Sequence, residues 1–114
     1  MTPSQQISTR AFELMNTLRE PKNILRKSDE ILHLLRTAFP AEPDAEIQTA
    51  YAYVQRFRER AYTLAWEWSK KSNGEKEKGM QLAKEVKEQL SAEFPGFQPE
   101  IYGEAFGEAV FLNH

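Results

Sequence analysis

Residues 43–71, PDAEIQTAYAYVQRFRERAYTLAWEWSKK, decide the fold. Their apolar members recur as Ile47, Ala50, Tyr51, Val54, Phe57, Ala61, Leu64, Ala65 and Trp68, in steps of three and four. That spacing puts all of them on one side of an α-helix. Ile47, Val54, Ala61 and Trp68 form one seven-residue series, and Ala50, Phe57 and Leu64 a second, like the two seam positions of a coiled coil. At ~1.5 Å per residue this helix spans ~40 Å, longer than any other element the chain can make. The remaining helices are therefore expected to pack on it.

Proline and glycine punctuate the sequence on both sides of this stretch. Upstream, Ile7, Ala11, Leu14, Met15 and Leu18 give one helical stripe over about 4–19, with Thr2-Pro3 as a cap and first-turn pair. Pro21 separates it from a second helix over about 22–39, because proline disfavours the α conformation in the residue before it. The inward stripe of that helix is Ile24/Leu25, Ser28, Ile31/Leu32, Leu35 and Ala38/Phe39. Pro40 and Pro43 stop it, and Pro43 opens the long helix with Asp44 and Glu46 at its positive end.

Downstream, Ser72-Asn73-Gly74 ends the long helix, since glycine takes the left-handed conformation of a helix terminus. Ser72 and Glu75 have capping-box spacing, so a fourth helix is expected over about 75–94 with Met80, Ala83, Val86, Leu90 and Phe94 inward. A fifth runs over about 99–112, with Ile101, Tyr102, Ala105, Phe106, Ala109 and Leu112 facing one way and Glu100, Glu104 and Glu108 another. Leu25, Ile31, Leu35, Phe39 and Pro40 recur 55 residues later as Met80, Val86, Leu90, Phe94 and Pro95. Convergence of two helix-proline-helix hairpins explains this echo more simply than duplication. The expected architecture is all-α: a single small bundle of four to five helices, two αα-hairpins plus an N-terminal helix, around one long central helix.

With 114 residues the chain has the length of one domain, 1–114, which buries about two thirds of its unfolded surface. The balance of 40% apolar and 28% charged residues is globular, and a net charge of −2 speaks against a surface that is one phosphate-binding field. There is no cysteine, hence no disulfide and no thiolate metal site or nucleophile. The first residues lack the basic and apolar regions of a signal peptide, and no apolar run approaches the ~20 residues of a membrane span. A soluble, cytoplasmic protein without membrane partners is expected.

Few residues carry chemistry. Glu30 and His33 have the Glu-x-x-His spacing of di-iron bundles, but neither a second such motif nor two further inward glutamates accompany them. His33 lies opposite the Ile31/Leu35 stripe and is expected in water; Asp29 and His33 alone make only two metal ligands. Arg26 and His33, with six residues between, are similar to the arginine–histidine spacing of the HEPN ribonucleases. That match ends at the two positions, with Lys27 where a polar residue usually follows the arginine, and transfers no roles. Gly103 and Gly107 fall inside a helical pattern and form no phosphate loop. For want of a convergent nucleophile, base or metal set, no enzyme, cofactor or metal is expected.

The outer side of the long helix is more informative. From residue 55 to 71, Arg56, Arg58, Arg60, Lys70 and Lys71 outnumber Glu59 and Glu67, and Tyr53, Tyr62 and Trp66 stand among them outside the main seam. Tyr, Trp and Arg are the residues enriched in protein interfaces, so Tyr53, Arg56, Arg60, Tyr62 and Trp66, with Phe111, are candidate partner-binding residues. Another protein is the expected partner, and a homodimer is one form of it, because the long helix outruns its neighbours. The alternative is a nucleic-acid strip of Arg56, Arg58, Arg60, Lys70 and Lys71. The segment 93–114 carries Glu93, Glu100, Glu104 and Glu108 and no Lys or Arg, and so complements the strip in charge.

Overall fold

A computed structural model describes residues 2–16 and 27–113. The chain is all-α: among the described residues there are five helices and no strand, α1 (Pro3–Met15), α2 (Ser28–Ala38), α3 (Asp44–Ser72), α4 (Lys76–Glu93) and α5 (Pro99–Leu112). They form two compact units, Met1–Arg56 and Phe57–His114, and α3 contributes its first residues to one and its remainder to the other. None of the described helices is long and apolar enough to cross a membrane.

In the first unit α1 and α2 pack on each other. Thr2 caps α1 with a full box: its Oγ1 accepts from the Gln5 amide at 3.2 Å, and the Gln5 Oε1 accepts from the Thr2 amide at 2.9 Å. The expected stripe is buried as Ile7, Ala11, Leu14 and Met15, joined by Phe12. Asn16 is extended and ends α1, short of the expected residue 19; 17–19, Pro21 and the expected helical segment 22–26 lie outside the described residues. Lys27 is extended too, so α2 begins at Ser28 and buries Ile31 and Leu35, while Ser28 and Ala38 are exposed.

Pro43 stands just before α3, its carbonyl accepting from the Ile47 amide at 3.3 Å, one position outside the helix expected from it. The Arg36 guanidinium, at the end of α2, pairs with Asp44 across the proline turn. The first unit's share of α3 buries Ile47, Ala50 and Val54, three of the expected seam positions.

In the second unit the seam continues with Phe57, Ala61, Leu64 and Ala65, all buried. Phe57 is the hub: its ring lies 4.6 Å from that of Phe97, 5.6 Å from Phe94 and 5.8 Å from Tyr102. α3 ends at Ser72, and both Asn73 (φ 46°) and Gly74 (φ 78°) take the left-handed conformation expected of the glycine alone. The Ser72–Glu75 capping box does not form. Ser72 is the last residue of α3, its hydroxyl donating to the Ser69 carbonyl, and Glu75 precedes α4 with no side-chain cap. Phe39 and Phe94, equivalent in the 55-residue echo, end α2 and α4 with nearly equal backbone angles, φ −127°, ψ 62° and φ −129°, ψ 69°.

Two positions of α4 and α5 depart from the expected stripes. Met80 is exposed rather than inward, and Gly79 is buried in its place. The cause is Trp68, whose indole Nε1 donates to the Gly79 carbonyl at 2.7 Å, bringing the ring against the backbone of α4. A Cβ at Gly79 would lie 3.6 Å from that ring and 3.5 Å from Ser72, ordinary van der Waals contact, so it is position 79 that faces α3, and Met80, about 100° further round the helix, turns outward. Leu112 is also exposed, because the cover over α5 ends one turn earlier at Ala109.

Candidate functional site

The sequence-derived candidates divide between the two units. Tyr53 and Arg56 belong to the first, where Tyr53 is half-buried and Arg56 is exposed with its guanidinium 6.0 Å from the Tyr53 ring centroid, at the outer limit of a cation–π contact. Arg58, Arg60, Tyr62, Trp66, Lys70, Lys71 and Phe111 belong to the second.

Within the second unit the arginines are occupied. Arg58 grips Glu108 of α5 in a bidentate pair, Nε to Oε1 at 3.1 Å and Nη2 to Oε2 at 2.9 Å. Arg60 does the same to Glu93 at the end of α4, at 3.0 and 3.3 Å. Hydrogen bonds from Arg60, and secondarily from Gln89, hold the Glu93 carboxyl below the usual carboxylate range. Glu108, expected on the outer acidic side of α5 with Glu100 and Glu104, is buried instead. Arg58 makes that tolerable, since a buried carboxylate needs a cation and hydrogen bonds together. Glu93 and Glu108 of the acidic segment thus answer Arg60 and Arg58 of the basic strip inside one chain.

Four large apolar side chains stay outward among exposed polar ones. Tyr62 and Trp66, one turn apart on α3, are 46% and 49% exposed, and Phe111 and Leu112 at the end of α5 are 57% and 47% exposed. The Asn113 side-chain amide donates to the Tyr62 carbonyl at 3.4 Å and to the Ala109 carbonyl at 2.8 Å, which ties the end of α5 to α3 beside these residues. The Lys70 ammonium lies 3.7 Å from the centroid of the Trp66 ring, well within cation–π distance. Sequence reasoning named Tyr62, Trp66 and Phe111 but missed Leu112, which its periodicity placed inward. It also read Lys70 only as a cation for phosphate, although its spacing of one turn from Trp66 was the available signal.

Between α3 and α4 there is a cleft of about 80 Å³ lined by Leu64, Glu67, Trp68, Lys71, Leu82, Glu85, Val86 and Gln89. That is room for a few waters or one side chain, well under the ~300 Å³ at which small-molecule sites begin. His33 and Glu30 are exposed on α2, and among the described residues no group of three His, Asp or Glu side chains could hold a metal ion. No protein-family model matches the chain, and no curated protein or solved structure matches it significantly.

Proposed function

We propose that this chain is a non-enzymatic protein-interaction module, and that its second unit binds through Tyr62 and Trp66 of α3 with Phe111 and Leu112 of α5. The single observation behind this reading is that four large apolar side chains stand about half exposed beside one another's helices while the nearby arginines are neutralised. Their exposed parts amount to about 400 Å², the size of patch that on soluble proteins is often functional. Taking it out of water is worth about 10 kcal/mol gross, which competes with an association cost of ~4–15 kcal/mol. A reversible partner of moderate affinity fits that balance.

The nucleic-acid strip is the weaker reading. Two of its five cations, Arg58 and Arg60, would have to leave carboxylates, and Lys70 would have to leave the Trp66 ring. The test is affinity capture from the native lysate, with and without nuclease, using wild type and a Tyr62→Ala/Trp66→Ala variant. A stoichiometric protein that survives nuclease and is lost with the variant is the expected result. Nuclease-sensitive capture, or capture indifferent to both substitutions, overturns the reading.

A further inference from the structure

We infer that Asn73 is a site of spontaneous covalent modification: its side-chain amide is lost by ring closure onto the Gly74 nitrogen, leaving aspartate or isoaspartate in the turn between α3 and α4. The inference stands apart from the interaction-module reading.

The reaction needs a carboxamide, the next residue's amide nitrogen and little bulk around that nitrogen. The Gly74 nitrogen gives up its proton and attacks the Asn73 side-chain carbonyl carbon. A carbon–nitrogen bond forms, the bond to Nδ2 breaks, and the leaving nitrogen takes a proton and departs as ammonia. Water then opens the cyclic imide at either carbonyl. One water is consumed and one ammonia released, with nothing oxidised or reduced.

The structure singles out this asparagine. Asn73 and Gly74 are both exposed and stand between the helices rather than in them. Even a Cβ built at Gly74 would meet nothing within 4 Å, so the attacking nitrogen is uncrowded. Among the described residues neither the Asn73 side chain nor the Gly74 amide is held in a hydrogen bond, so neither reacting group has to be freed first. Asn73 is also left-handed, at φ 46°, a conformation that a residue with a Cβ leaves at little cost. The other described asparagines are protected. Asn16 is only 3% exposed, and the Asn113 side-chain amide is tied to the Tyr62 and Ala109 carbonyls.

The product adds a negative charge to a chain whose net charge is −2, one turn beyond the Lys70 ammonium that lies on the Trp66 ring. Isoaspartate also lengthens the main chain by one methylene between the two helices that the Trp68–Gly79 hydrogen bond joins.

The test is peptide mass spectrometry of the purified full chain after days at body temperature, at neutral and at mildly alkaline pH, with wild type and Asn73→Gly. Wild type is expected to gain ~1 Da on the peptide holding Asn73, the difference between an amide and an acid. Conversion should rise about tenfold per pH unit, as does the ionised fraction of a weak acid far below its pKa. Both isomers should form, and methylation by an isoaspartyl methyltransferase marks the isoaspartate. Asn73→Gly suits the left-handed backbone and should abolish the modification at this turn. An Asn73 that keeps its amide in the folded chain, while a peptide of residues 68–79 converts, overturns the inference. So does aspartate without isoaspartate, which bypasses the ring, or equal conversion at Asn16 and Asn113.

Discussion

Replacing Arg58 with methionine should destabilise the chain by about 3 kcal/mol, although Arg58 belongs to the side of α3 that the sequence presents as polar. The substitution keeps the aliphatic stem and removes the guanidinium from Glu108, whose side chain is only 3% exposed while that of Arg58 is 27% exposed. Breaking a fully buried pair costs ~3–5 kcal/mol, and the partial exposure of Arg58 admits some water, which selects the lower end. In urea, with a slope of ~1.5 kcal/mol/M for a chain of this size, the midpoint followed by circular dichroism should fall by about 2 M. Glu108→Gln removes the charge but keeps an acceptor for Arg58 and should cost about 1 kcal/mol. The double variant Arg58→Met/Glu108→Leu leaves no buried charge and should return to within ~1 kcal/mol of wild type. The reasoning fails if Arg58→Met unfolds within ~1 kcal/mol of wild type, or if the double variant is no better than Arg58→Met alone.

Two further outcomes follow from the same geometry. Phe57→Ala empties the centre of the Phe94, Phe97 and Tyr102 cluster and should cost ~3–5 kcal/mol in the same urea assay, a far larger loss than truncating exposed Tyr62. The Asp44 and Glu93 carboxyls are held low, chiefly by hydrogen bonds from Arg36 and Arg60, so each contributes stability that is present above its ordinary titration range and is lost as pH falls through its lowered value. Thermal melts between neutral pH and pH 3 should show a shallow acid-side loss, and Arg60→Gln should flatten the part due to Glu93; both pairs are exposed, so the effect is small and shrinks in high salt.

Among the candidate residues, the legible part was the type of side chain and the illegible part its commitment. Tyr62, Trp66 and Phe111 could be singled out because they fall outside the apolar stripes of α3 and α5, and each is exposed in the fold. Arg58 and Arg60 carried the same signal as Arg56, and nothing local distinguishes them. What separates them is a carboxylate 50 and 33 residues further along the chain, delivered by α5 and α4. Leu112 shows the opposite error. Its place in the stripe is regular, but a stripe is buried only as far as a neighbour covers it.

The five helices, the turns that follow α2, α3 and α4, and the buried seam of α3 were written in the sequence itself, because helix periodicity, proline's missing donor and glycine's left-handed freedom act over one or two turns of chain. The 55-residue echo belongs here too, since Phe39 and Phe94 end their helices in the same backbone conformation. Only the tertiary structure decided that Glu108 turns inward, that Gly79 rather than Met80 meets Trp68, and that Tyr62, Trp66, Phe111 and Leu112 remain open. Each of these depends on what another helix brings: a guanidinium for a carboxylate, a carbonyl for an indole, or too little cover for a large apolar side chain. Periodicity says which residues share a face, and only packing says what that face meets.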